Sequence, residues 1–95
     1  MVRHIWLWKF ADGADARGVI ATLNELPAQI PLVRSWHVGL HGCKDPWGTA
    51  WDGALVCEFD SFEDLAAYDV DPFHQEVVRR TASAFAAHAV VDYEF

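Results

Sequence analysis

Residues 53–78 read GALVCEFDSFEDLAAYDVDPFHQEVV, and this stretch decides the fold because its periodicity changes twice. Apolar residues alternate with other residues from Gly53 to Phe59, which predicts a β-strand. Ser61 then stands three residues before Asp64, a spacing that imitates a capping box. The pattern therefore predicts a strand that turns directly into a helix.

The second change of period lies at Asp71-Pro72. Proline loses nothing at the first position of a helix, and aspartate is a favourable N-cap, so the dipeptide predicts the end of one helix and the start of another. Tyr68 comes just before this break, and Phe73 and His74 come just after it. Such a corner is either a plain joint between two helices or the rim of a pocket.

The flanking sequence completes the order of elements. Residues 2–10 alternate as a first strand with apolar residues on both faces, and residues 33–40 alternate as a second strand. After Asp15, a plausible N-cap, apolar residues recur at helical spacing. The predicted helix ends near Leu26, because prolines follow. Residues 88–93 close the chain as a fourth strand. The order βαββαβ predicts an α+β, ferredoxin-like fold, in which a four-stranded antiparallel sheet carries its helices on one face.

One face of that sheet is bare in a monomer. If Ile5 and Leu7 face the helices, an aromatic row lies on the bare side: His4, Trp6, Trp8 and Phe10. Two such sheets packed face to face would hide these residues and close a dimeric α/β barrel. We therefore expect a homodimer.

Length and composition limit the class of protein. Ninety-five residues suit a single domain spanning residues 1–95, and 53% hydrophobic residues with five tryptophans favour an apolar interface or cavity. A net charge of −7 argues against nucleic acid as a partner. No apolar run is long enough to span a bilayer, and the first residues do not resemble a signal peptide. Cys43 and Cys57 lack metal-ligand spacing, so we expect free thiols and a cytoplasmic protein, although one disulfide is possible.

Common catalytic motifs are missing. The sequence contains no phosphate-binding loop, nucleophile elbow or HExxH motif, which disfavours kinase, serine hydrolase and zincin functions. His37 and His41 share a strand face and, with His4, form the one metal site worth considering. Because zinc needs three or four convergent ligands and the spacing does not fix a third, we expect no metal and no cofactor.

Three segments resemble the Dabb family of stress-responsive dimeric α/β-barrel domains: VRHIWLWKF, GALVCEFDSFEDLAAY and DPFHQEVV. The resemblance runs nearly end to end and implies the dimeric barrel fold. Most members are small dimers of uncharacterised activity, and some plant members are stress proteins. One member, olivetolic acid cyclase, folds a linear polyketide and closes it by aldol condensation.

The resemblance to that cyclase implies a set of site residues. Tyr68 and His74 match its Tyr–His pair, His4 matches its first-strand histidine, and Asp92 matches the aspartate of its last strand. A histidine can act as the base that removes an α-proton, and a tyrosine hydroxyl can bind the developing oxyanion. Asp92 would hold a histidine in the required tautomer. Gly53 departs from the pattern, because the cyclase has a further histidine there.

Three functions remain open at this point. The first is a binding or stress-response domain without chemistry, holding a small apolar or phenolic ligand in its barrel cavity; the expected lining residues are Trp6, Trp8, Leu55, Phe59 and Phe73. The second is a cofactor-free polyketide cyclase or isomerase. The third is a cofactor-independent monooxygenase. Tyr68 and His74 have a structural alternative as braces of the helix break, and His4 has one as a hydrogen-bonded core histidine.

Overall fold

A computed structural model describes all 95 residues. Its elements in chain order are β1 (Val2–Phe10), α1 (Ala16–Leu23), α2 (Leu26–Gln29), β2 (Ser35–Leu40), β3 (Gly53–Phe59), α3 (Phe62–Val70), α4 (Pro72–Thr81), a 3-10 turn (Ala82–Ala84) and β4 (Phe85–Glu94). The strands form one sheet in the order β2-β3-β1-β4, and every neighbouring pair is antiparallel. The predicted ferredoxin-like α+β fold is confirmed.

The predicted helix starts carry the expected caps. Ser61 Oγ accepts a hydrogen bond from the backbone N–H of Asp64 at 3.1 Å. Asp71 accepts from the N–H of Phe73 at 2.8 Å, and Pro72 opens α4. These bonds satisfy backbone donors that a helix leaves free at its N-terminus. The two caps therefore mark the entry from β3 into the helical layer and the joint between α3 and α4.

The first helical segment is shorter than expected. Asp15 caps α1, but α1 ends at Leu23, and a separate short helix begins at Leu26. Pro27 has no N–H to donate to the carbonyl four residues earlier, that of Leu23, so a continuous helix would lose this bond. The expectation of one helix reaching Leu26 was wrong for that reason.

The last strand is longer than expected. β4 begins at Phe85, three residues before the predicted start at residue 88, and α4 ends at Thr81. Phe85 pairs with Phe10 on β1, and their rings stack with centroids 6.2 Å apart. Its ring also lies 4.9 Å from that of Trp6. Packing against the aromatic residues of β1 therefore places Phe85 in the sheet.

The direction of β1 corrects the expectation for the aromatic row. Val2 and Trp8 are fully buried, and they pair with Phe59 and Gly53 on the helix-covered face of β3. His4, Trp6, Trp8 and Phe10 therefore face the helices, and Ile5 and Leu7 face the open side. Both faces of β1 are apolar, so alternation alone could not choose between them.

The hydrophobic core lies between the sheet and the helices. Its buried members come from the strands, the helices and the segment after α2: Val2, Trp8, Val19, Leu23, Leu26, Ile30, Leu55, Cys57, Phe59, Leu65, Tyr68 and Val77. The opposite face of the sheet carries no helix. None of the helices combines the length and the hydropathy needed to cross a membrane.

Candidate functional site

A cavity of about 650 Å³ lies between α4 and the part of the sheet formed by β1 and β4. α4 and β4 follow each other in the chain and run in opposite directions along two sides of this cavity. The lining is mostly hydrophobic, and the corner between α3 and α4 contributes polar groups at one end. All four predicted catalytic residues line it: His4, Tyr68, His74 and Asp92.

The helix break positions His74. Its Nδ1 lies 3.0 Å from the backbone carbonyl oxygen of Asp69, near the end of α3. A carbonyl oxygen only accepts, so Nδ1 carries the proton and donates it. The neutral ring then has its lone pair on Nε2. The ring packs against Tyr68 with centroids 4.4 Å apart. The α3–α4 corner therefore fixes both the orientation and the tautomer of the His74 ring.

His4 forms a second oriented histidine. It pairs with Asp92 across β1 and β4, and its Nδ1 lies 2.5 Å from Asp92 Oδ1. The carboxylate accepts from Nδ1–H, which again leaves the lone pair of the neutral ring on Nε2. The His4 side chain is 13% exposed and that of Asp92 34% exposed. The resemblance implied that Asp92 holds a histidine, and in the structure that histidine is His4.

Tyr68 lies between the two histidines. It is 1% exposed, and its ring centroid is 6.4 Å from that of His4. Burial raises the pKa of the Tyr68 hydroxyl, so the group stays protonated at neutral pH. The Tyr68 hydroxyl makes no hydrogen bond with another protein group. The one fully enclosed side-chain polar atom without a partner is Trp8 Nε1, so the Tyr68 oxygen is accessible from the cavity. It is a hydrogen-bond donor that a molecule in the cavity can reach.

Two predicted ligand-binding residues line the cavity, and three do not. Trp6 and Leu55 line it. Trp8 and Phe59 are completely buried in the core, and Phe73 packs against the core from α4. The sequence pattern indicated an aromatic lining but could not say which aromatic side chains the core would absorb.

Several lining residues were missed by sequence reasoning: Asp69, Phe85, His88 and Val90. The signal for two of them was present, because His88 and Val90 have the same strand parity as Asp92. Phe85 was missed because the predicted fourth strand begins only at residue 88. Asp69 acts through its backbone, which no side-chain pattern reveals, because its carbonyl oxygen orients His74.

The other histidines of the metal alternative lie elsewhere. His4 pairs with Cys57 on β3, and His37 pairs with the adjacent Val56. Adjacent strand residues point to opposite faces, so His4 and His37 cannot converge on one ion. No group of three or more His, Cys, Asp or Glu side chains is arranged to hold a metal. Both cysteines are free thiols.

Comparison with known families identifies the chain. A family model for the stress responsive A/B barrel domain, Dabb, matches residues 2–95. This chain belongs to the Dabb family. The Dabb domain is 32% identical over 84 residues to a stress-response A/B barrel domain-containing protein of Arabidopsis thaliana. The match covers 85% of this chain and 31% of the plant protein, so the chain spans about a third of that relative's length.

Solved structures share the fold of this Dabb domain. A dimeric protein of unknown function from Bacteroides fragilis is 33% identical, with a TM-score of 0.74 over 99% of this chain and 95% of that chain. A dimeric ferredoxin-like protein from Thermobifida fusca is 26% identical, with a TM-score of 0.83 over 99% and 90%. The hydroxynitrile lyase of Passiflora edulis is 20% identical, with a TM-score of 0.83 over 97% and 90%, a likeness of fold alone.

Proposed function

We propose that this Dabb domain binds a small, mainly apolar compound that carries a carbonyl or phenol oxygen. The observation that carries the proposal is the Tyr68 hydroxyl, a donor without a protein partner that opens onto a mostly apolar cavity. A hydrogen bond in apolar surroundings is stronger than in water, so an oxygen acceptor supplied by a ligand is favoured there. The volume of about 650 Å³ suits a small molecule.

The remaining polar groups support the same orientation of the ligand. His4, His74 and Asp92 line the cavity together with Tyr68. The rest of the lining is mostly apolar, with Leu55 of the sheet among its side chains. A compound with one oxygen-bearing end and an apolar body matches this division.

A second candidate is chemistry on that ligand, namely cofactor-free cyclisation or isomerisation of a carbonyl compound. The supporting observation is that two histidines have oriented rings whose Nε2 lone pairs are free to accept a proton. In this scheme, Nε2 of His74 takes the proton from a carbon next to a carbonyl, and the electron pair moves to the oxygen that Tyr68 hydrogen-bonds. The enolate then attacks a second carbonyl, and the new alkoxide takes the proton back from His74.

Ligand-induced thermal stabilisation tests the binding function. Wild type, Tyr68→Phe and His74→Ala are heated with a panel of phenols and 1,3-diketones, and His37→Ala on the opposite face serves as the control. A ligand at a hundred times its Kd stabilises by about 2.7 kcal/mol, a shift of several degrees. We expect this shift in wild type and His37→Ala and a reduced shift in Tyr68→Phe, which lacks only the oxygen. No shift with any compound, or equal shifts in all variants, would contradict the proposal.

Turnover is tested separately with the compounds that bind. Loss of a linear diketone and appearance of a ring, dependent on His74, would support the cyclase. Oxygen uptake with a bound phenol would instead support the monooxygenase alternative. Binding without either reaction would leave a ligand-binding domain.

We also propose that the domain acts as a homodimer in the cytoplasm. The two dimeric relatives support the dimer, and so does the uncovered sheet face, which carries Ile5, Leu7, Val56 and Val91. Packing two such faces together would remove apolar surface from water on both copies. The two free thiols suit a reducing compartment.

A further inference from the structure

The end of the cavity away from Tyr68 also carries a polar side chain. His88, Val90 and Asp92 alternate on β4 and line the same cavity. Asp92 pairs with His4, whereas His88 pairs with Trp8 further along β1. Four residues of strand separate the two positions, which is about 13 Å. The cavity is therefore long and has one histidine near each end of its β4 wall.

The space between these ends is apolar. Trp6 and Val90 form a register pair at the midpoint, and Leu55 pairs with Trp6 from the other side. Val77 of α4, which lines the cavity too, is buried in the core. A ligand that fills the cavity thus passes over a hydrophobic section before it meets a second hydrogen-bonding group.

The His88 side chain is available for contact with a ligand. Its side chain is exposed, and it makes no hydrogen bond with another protein group. Its ring lies 6.2 Å from the indole of Trp6, which itself packs on Phe85. Both ring nitrogens are therefore free to bond a group held beside Trp6.

The positions of the acidic lining residues indicate at which end of the cavity a carboxylate of the ligand would lie. Both acidic residues that line the cavity, Asp69 and Asp92, lie at the Tyr68 end, and none lies at the His88 end. A carboxylate is repelled by like charges and stabilised by N–H donors, so it would point away from the aspartates.

We propose that the ligand is an elongated acid, with a carbonyl or phenol oxygen at Tyr68, an apolar middle beside Trp6 and a carboxylate at His88. This inference rests on the proposed binding function and adds the substrate class. His88 is then a specificity-determining residue at the open end of the site.

Calorimetric titration with two matched series of compounds tests the inference. One series is (4-hydroxyphenyl)alkanoic acids from the acetic to the octanoic acid, and the other is 4-alkylphenols of equal chain length. We expect an intermediate length at which the acid binds about tenfold more tightly than its alkylphenol, because a charge-assisted hydrogen bond adds to the affinity. In His88→Ala the ratio should fall to about one, and in the His37→Ala control it should stay as in wild type.

The outcomes separate the two proposals. If alkylphenols bind and Tyr68→Phe weakens them, but acids show no advantage at any length, the carboxylate inference is overturned and the proposed function stands. An advantage for acids that persists in His88→Ala also overturns the role of His88. Failure of every phenol to bind overturns the carboxylate inference, and failure of the 1,3-diketones as well overturns the proposed function.

Discussion

At the scale of single residues, Gly53 and Trp8 determine which way the central strand faces. A Cβ on Gly53 would lie 2.9 Å from Trp8 Nε1 and closer still to two ring carbons. The missing side chain is therefore the space that the indole occupies, and Trp8 is completely buried there. The resemblance to the cyclase implies a further histidine at the position of Gly53. In this chain, the indole of Trp8 on the neighbouring strand occupies that space.

Gly53→Ala should destabilise the domain by about 1–3 kcal/mol, because overpacking a tight core forces neighbouring groups to move. Gly39→Ala is the matched control, since Gly39 lies on the adjacent edge strand and a Cβ there meets nothing within 4 Å. Urea unfolding of both variants measures the difference. Equal stability of the two variants would contradict the close packing of Gly53 on Trp8.

Cys57 gives the stability a dependence on alkaline pH. Burial raises the pKa of its thiol from an ordinary value near 9.0 to about 12. Between these values the unfolded chain releases a proton that the folded chain keeps, so stability is complete below pH 9 and falls as pH rises. The slope from this group is at most about 1.4 kcal/mol per pH unit.

Cys57→Ala should therefore flatten the fall in unfolding free energy above pH 9, whatever packing energy the substitution removes. Urea titrations at several values of pH measure the slope. Cys43→Ala, which removes an exposed thiol, is the control and should keep the wild-type slope. A Cys57→Ala slope equal to that of wild type would show that the thiol ionises as readily in the folded state.

At the scale of elements, the α3–α4 corner connects helix capping to the site. Asp71 caps α4 and Asp15 caps α1 by the same kind of side-chain bond. Asp71→Ala and Asp15→Ala should each cost roughly 0.5–2 kcal/mol of stability. Only Asp71 precedes His74 by less than one turn, so only its variant should also weaken the binding of phenols.

Thermal unfolding without ligand measures the two capping effects, and phenol titration then separates them. Conditions are chosen so that both variants remain folded. If Asp15→Ala weakened phenol binding as much as Asp71→Ala, the effect would come from general loss of stability and not from the position of His74.

The elements also show how far sequence reasoning reaches. β3, the caps and the break at Asp71-Pro72 were predictable, because each depends on neighbouring residues alone. The face of β1 that packs against the helices was not predictable, since it depends on where a neighbouring strand leaves room for the indole of Trp8. The same limit applies to the site: Tyr68 and His74 are close in sequence, whereas His88 joins them only through the register of β4 on β1.

At the scale of the whole molecule, the uncovered sheet face is the feature that a single copy leaves unexplained. Ile5 and Val56 form a register pair on this face. Arg3 and Glu58 are paired to each other on the same face, with Glu58 accepting from Arg3 Nη2 at 2.6 Å. These two charged groups therefore already have partners, and the apolar part of the face is what a second copy would cover.

Val56→Asp should dissociate the proposed dimer, weakening it by about 100-fold or more, because an unpaired carboxylate is costly to bury. Val70→Asp is the control, since Val70 is 73% exposed at the end of α3, away from the sheet. Sedimentation at micromolar protein compares both with wild type, and urea unfolding confirms that each protomer is folded. A wild-type monomer, or a Val56→Asp variant as dimeric as Val70→Asp, would show that the open face is not the contact between copies.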